Sequence, residues 1–519
     1  MRLLRISAIA LSSAAAMLGV AAFAQLAQGP ADQGMALPQQ MGDAALGRDV
    51  FRNETFGNEG FWTDAVRLPQ GIMAARVTPM QALELGLQVD ADAIDARIKA
   101  QLGAELRADP SGRSSKLLND PAVTVALVKA GAVIGMVPKG AKVGATCALC
   151  HTMTDASVFK SSKGGSIGSR IDGVANHDLN IGKIFATAAN TRALYTVAQT
   201  QLTANKGKTL GRAPRGLTEN SSEAEFDAYF SNPKFYPIGM FDDTFDGNGN
   251  PMHNSPLFEQ ELAAPYGSEG TFTKIDDFSN LVYTSLFDQT MLTTPGGRAF
   301  VHKLAGAAGD ELIDDYVKIL RDTGVTGYPF VRTIGTGELG SLATPFGLRV
   351  DNRKLLAMNA YLSALPSPAG MMGDAQGAMR GRAVFASSGC TGCHNIDQGR
   401  AVPTTIHPMM RIFPGDRPMI LAPRTPPLTP VQNTAASFFD DKWAVVNASI
   451  RGEKRGVAMP LLLDLARKPV FLHDNSVSNL ELLLDQRRGA KAPHPFYVNN
   501  KAQRGDLAVY LRSLDTTSR

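Results

Sequence analysis

Apolar residues recur at helical spacing along much of the chain, in segments divided by glycine, proline and asparagine. VTPMQALELGLQVDADAIDARIKAQLGAEL (77–106) carries them every three or four positions, the period of an amphipathic helix. NRKLLAMNAYLSALPSP (352–368) and QRGDLAVYLRSLDTT (503–517) share a second pattern of aliphatic and aromatic residues at that spacing, so each predicts a helix closing a structural unit. RGRAVFAS (380–387) predicts another, running straight into CTGCH. The chain is therefore expected to be mainly α.

An internal echo organises these helices. MGDAALGRDVF (41–51) shares Met-Gly-Asp-Ala and Gly-Arg-x-Val-Phe with residues 372–385. After the second copy CTGCH follows at once, whereas CALCH (147–151) follows the first only after a long segment, read here as an insertion over about 52–145. Pro366 and Pro368, followed by AGMMGDAQG, mark a linker and a boundary near 370. Two units result, 25–370 and 371–519. The stretch 200–340 is rich in Gly, Pro and Asn and is expected to form large loops with short helices.

Composition adds a compartment. Residues 1–24 hold two arginines, a short alanine-rich apolar run and Ala22-Phe23-Ala24, the form of a secretory signal with an A-x-A cleavage site; an uncleaved anchor is the alternative. No other segment is long and apolar enough to cross a membrane, so no membrane span is expected after cleavage. The formal net charge is +4, including Arg2 and Arg5 of the leader, and no long basic block occurs. Nucleic acid is thereby excluded as a partner.

All four cysteines lie in two motifs, Cys147-Ala-Leu-Cys150-His151 and Cys390-Thr-Gly-Cys393-His394, and none is left for a structural framework. A C-x-x-C pair alone would suit thiol chemistry, which does not need the following histidine. One zinc site shared by both motifs would draw its halves from unusually distant segments. The pattern C-x-x-C-H is that of c-type haem attachment: two thiols add to the vinyl groups and the adjacent imidazole reaches the iron. Two covalently bound haem c groups are expected, with His151 and His394 as iron ligands.

Beyond the haem motifs, ETFGNEGFW (54–62) and AMPLLLDLARKPVFLHDNSVSNLELLLD (458–485) resemble the di-haem cytochrome c peroxidase superfamily, which includes the methylamine-utilisation di-haem enzyme and the rubber oxygenases. The likeness is strongest over 375–515 and weaker over 45–200, with none over 200–350. Asn475 stands where the family pattern has glycine, and Arg487 where peroxidases carry the methionine ligand of the C-terminal haem. The resemblance implies two cytochrome c-like haem domains, the first with large insertions and loops. It also implies a periplasmic redox role in which the C-terminal haem feeds electrons to an N-terminal haem that reacts with peroxide or dioxygen. A periplasmic protein would act as electron donor or acceptor.

What occupies the far side of each iron separates a carrier from a catalyst. Outside the motifs the histidines are His177, His253, His302, His407, His473 and His494. Met459, before Pro460, reads as a ligand to the second haem or as a core methionine. His473 reads as ligand, propionate partner or structural donor. For the first haem, IGSRIDGVANHDLNIG offers His177, with Arg170, Asp172 and Asn176 as propionate partners or as a plain surface loop. DGNGNPMHNSP resembles a calcium loop, but position twelve from Asp242 is His253 rather than glutamate, so a turn is expected and calcium has no support. Trp62 and Trp443 read as core residues or as an electron relay, and RTPPLTPVQN (424–433) as a loop across the second haem. Two function classes follow, a di-haem oxidoreductase and a non-catalytic electron carrier for a periplasmic dehydrogenase or oxidase. A haem-based sensor is a weaker third, since no output domain is evident.

Overall fold

The computed structural model describes residues 42–200, 217–233, 236–241, 252–260, 263, 266–267, 272–371, 373–394, 406–408, 456–458, 460–472, 475, 477–490, 492 and 494–515. The leader, the loop 424–433, Trp443, Met459, His473 and the segment from Asp242 to Pro251 lie outside them. In chain order the elements that matter here are α1 (Ala44–Asn53), α2 (Ala96–Ala108) and α3 (Pro121–Lys129). A hairpin of β1 (Met136–Lys139) and β2 (Lys142–Ala145) leads into the single turn α4 (Ala148–His151). Strands β3 (Thr152–Thr154) and β4 (Arg170–Asp172) pair antiparallel behind it. Helices α5 (Pro295–Ala305), α6 (Ala307–Asp322), α7 (Asn352–Ala364), α8 (Ala375–Ser387) and α9 (Lys501–Ser513) complete the series. The protein is mainly α, as the periodicity predicts, and its described strands are only two to four residues long.

Two helix pairs built alike frame the chain: α1 packs on α7, and α8 packs on α9. The echoed sequence explains both. Asp43 and Asp374 of the repeated Gly-Asp-Ala are N-caps, accepting from Ala45 N at 2.9 Å and from Gly377 N at 2.8 Å. Further along, Gly47, one turn past its cap, and Gly381, two turns past its own, lie where the helices touch. A Cβ on Gly47 would stand 1.9 Å from the carbonyl oxygen of Ala357, and one on Gly381 2.1 Å from that of Asp506. Phe51 then meets Tyr361 with ring centres 5.8 Å apart, and Phe385 meets Tyr510 at 5.9 Å. Glycine, aromatic and partner tyrosine thus recur in the same arrangement.

Between α1 and α4 the chain makes a long excursion whose ends are tied together. The Asn58 side chain donates to Ala145 O at 2.8 Å and accepts from Ala145 N at 2.9 Å, while Thr146 Oγ1 donates to Arg52 O at 3.2 Å. This clamp sets CALCH beside the end of α1 although α2, α3 and the hairpin intervene. One apolar core fills the excursion and continues to α6; a second lies between α1, α7 and α5. A third, around Phe385, Leu480 and Leu507, draws its residues from 384–514. Near the expected boundary, Gly370 N donates to Asp515 Oδ2 at 2.6 Å and Met371 N to Arg512 O at 2.8 Å, fastening the linker to the end of α9.

One expectation needs correcting. The stretch 200–340, read as loops with short helices, also holds α5 and α6, the latter sixteen residues long. Leu312, Ile313, Tyr316, Ile319 and Leu320 recur at helical spacing on the buried side of α6. The glycine-rich composition of the surrounding chain masked that local period.

Candidate functional site

CALCH is held as a turn by its surroundings. His151 N donates to Cys147 O at 3.1 Å, closing one helical turn that sets Cys147, Cys150 and His151 together. Gly135, at φ +80°, lets the preceding loop pass so close that a Cβ there would lie 2.3 Å from Leu149 Cα. Behind the turn, Gly173 N donates to His151 O at 2.8 Å and Asn176 N to Cys150 O at 2.9 Å. Burial raises the Cys147 thiol to about 11, against the hydrogen-bonding pull of Tyr283, and the Cys150 thiol to about 12. Burial also lowers His151 to about 4. At neutral pH the cysteines are thiols and the imidazole is neutral.

His151 Nδ1 lies 2.8 Å from Ser255 O. A carbonyl only accepts, so Nδ1 carries the proton and Nε2 keeps its lone pair. An anchored second nitrogen of this kind is what orients a metal-binding histidine. Among the described residues no group of three or more His, Cys, Asp or Glu side chains is arranged to hold a metal ion, as zinc would need. Haem iron needs only one or two protein ligands, so CALCH with its anchored imidazole fits haem.

His177, predicted as a distal candidate, is 4% exposed and packs against His253 with ring centres 5.6 Å apart. His253 lies in a short antiparallel pairing of Met240–Phe241 with Met252–His253. Its Nδ1 donates to Leu472 O at 2.6 Å, so its Nε2 accepts from Lys468 Nζ at 3.2 Å. Burial, with smaller contributions from Lys468 and His151, lowers His177 to about 3, and burial lowers Lys468 to about 8 despite Asp464. The cluster therefore joins the 170–180 loop, the strand Met252–His253 and the 460–472 segment beside His151. Sequence reading missed Lys468, whose only signal was its place within the family-like run.

The polar loop residues near His177 are already committed. Arg170 Nε donates to Asp90 at 2.5 Å, and Asn176 Nδ2 to Gly86 O at 2.9 Å. Asp172 accepts from Arg52 Nε at 2.6 Å, Tyr361 OH at 2.6 Å and Thr152 Oγ1 at 3.1 Å. These bonds tie α1, α7 and β3 to β4, so the loop is neither a plain surface loop nor a set of spare propionate donors. Trp62 is a core residue, stacked on Phe185 with ring centres 5.9 Å apart.

At the second motif, α8 ends at Ser387, Gly389 has φ +77°, and Cys390–Gly392 forms a short 3-10 turn. His394 N donates to Cys390 O at 2.9 Å, the same bond that closes the turn at CALCH. The His394 ring lies between Phe385, centre to centre 6.4 Å, and His494, 6.2 Å. Arg487 is an exposed residue that pairs with Asp485 at 2.9 Å. Asn475 has φ +56°; it is fully buried, and among the described residues neither amide atom has a hydrogen-bond partner. Left-handed backbone is a conformation that asparagine tolerates better than most non-glycine residues.

No protein-family model matches this chain, and no curated protein matches it. Among solved structures it is similar to hydrazine synthase of Kuenenia stuttgartiensis, at 14% identity over 62% of this chain and 87% of that one, with a TM-score of 0.27. A likeness that slight carries no argument about fold or activity.

Proposed function

We propose that this protein is an exported, periplasmic di-haem c-type cytochrome of the peroxidase-like superfamily, working as an oxidoreductase. Cys147 and Cys150 hold one haem with His151 as iron ligand; Cys390 and Cys393 hold the other with His394. Haem bound there supplies one-electron redox chemistry and, where the iron keeps an open position, reaction with peroxide or dioxygen. The observation that carries the reading is the repeated frame: each C-x-x-C-H turn follows a helix whose glycine and phenylalanine meet a partner helix in the same way. His151 is oriented by Ser255 O. Beside it, His253 and Lys468 share a hydrogen bond, with His177 packed on His253, so protonatable groups from both halves of the chain stand near the first motif. Among the described residues no helix is long and apolar enough to cross a membrane.

The test is direct. Protein from a periplasmic expression host, denatured and run on a gel, should retain covalent haem, and pyridine haemochrome spectra should count two per chain. Replacing Cys147 and Cys150, or Cys390 and Cys393, by alanine should remove one each. Reduced protein should then be oxidised by peroxide faster than free haem is. Absence of covalent haem would overturn the proposal, and two haems inert to peroxide and dioxygen would leave the electron-carrier reading in its place.

A further inference from the structure

His494 lies a hundred residues beyond His394, yet the fold sets their rings 6.2 Å apart, with planes inclined at 45°. That distance has a chemical meaning. Metal–imidazole bonds are about 2.0–2.1 Å long. A ring centre lies roughly 1 Å behind its nitrogen, so two imidazoles on opposite sides of one metal have centres roughly 6 Å apart. The 6.2 Å separation matches that spacing.

The segment carrying His494 is built to hold it. Arg488, 2% exposed, donates through Nη1 to Leu483 O at 3.1 Å and to His494 O at 3.3 Å. Tyr497 OH donates to Gly489 O at 2.6 Å, and Val498 N to Leu484 O at 3.0 Å. His494 itself has φ +54°, a left-handed conformation that costs a non-glycine residue energy and persists only where its surroundings impose it. Among the described residues its buried Nδ1 has no hydrogen-bond partner. A buried polar atom that the chain leaves unsatisfied points to a group bound from outside.

We infer that His494 is the second axial ligand of the haem attached at Cys390 and Cys393, opposite His394. This rests on the di-haem reading above and deepens it. Two imidazoles close the iron and keep it low-spin, which makes the C-terminal site one of electron transfer. Any chemistry with peroxide or dioxygen is then confined to the CALCH site. Met459, read as a ligand to this haem or a core methionine, and His473, read as ligand, propionate partner or structural donor, would not then be its second axial ligand.

Low-temperature EPR and near-infrared magnetic circular dichroism of the ferric holoprotein test this, with haem counted by pyridine haemochrome in every sample. The wild type should show two haems per chain and a bis-imidazole low-spin signal. In His494→Ala, with both haems retained, that signal should be lost from one iron of the two and return on adding imidazole. In His494→Met the same iron should take on imidazole–thioether character and a higher reduction potential. Exposed His302→Ala should change nothing. Wild type with two haems but no bis-imidazole signal overturns the assignment even where a variant fails to fold. So does a His494→Ala protein whose two signals are unaltered, and in both cases the di-haem reading stands. Wild type without covalent haem overturns both.

Discussion

Gly381 approaches the carbonyl of Asp506 so closely that a Cβ would stand 2.1 Å from its oxygen, and Gly47 stands in the same relation to Ala357. The repeated frame depends on these contacts. Alanine at either site must push backbone against backbone, so Gly47→Ala and Gly381→Ala should each destabilise by about 1–3 kcal/mol or more. Gly103→Ala is the control: within α2 its Cβ would meet only Arg107 Nη1, at 3.6 Å, and should stabilise by roughly 0.5–1 kcal/mol. Urea unfolding of the three variants checks this, and equal effects at all three sites would refute it.

The clamp between Asn58 and Ala145 should be worth more than its size suggests. Asn58→Ala leaves the buried N–H and C=O of Ala145 unpaired, at about 1–3 kcal/mol for each orphaned group. Stability should fall by about 3 kcal/mol and limited proteolysis should open the excursion between 59 and 143 first. Asn53→Ala, which removes only an exposed bond to Asp49, should stay within about 0.5 kcal/mol of the parent.

Acid should weaken the fold through His177. Burial holds it neutral to about 3, below the ordinary value near 6.5, so between these limits the unfolded chain binds the extra proton. Stability from this residue is therefore present above 6.5 and lost as pH falls toward 3. From pH 7 to 5 its share of the loss is about 2 kcal/mol. Urea midpoints at the two pH values, for wild type and His177→Gln, should differ in slope by that amount; parallel slopes would show that His177 titrates normally.

Asn475 occupies left-handed backbone, and among the described residues neither amide atom is satisfied. Asn475→Gly removes the steric cost and the buried amide together, and should raise stability by about 1 kcal/mol or more. A fall in melting temperature would mean that the amide is engaged by a group bound to the chain.

By itself the sequence marked the two motifs and determined the helices that frame them. C-x-x-C-H is read within five residues, and the repeated Gly-Asp-Ala and Gly-Arg-x-Val-Phe encode a cap, a crossing point and a core aromatic at local spacing. The period of α6 was equally local and was overlooked only against its glycine-rich surroundings. Tertiary structure alone decided which polar groups meet. The approach of His494 to His394, and of Lys468 and His177 to His253, depends on loops brought together from positions dozens to hundreds of residues apart, and such contacts leave no period in the chain. Arg170, Asp172 and Asn176 looked available in sequence, because nothing local announces that Asp90, Arg52 and Gly86 will claim them.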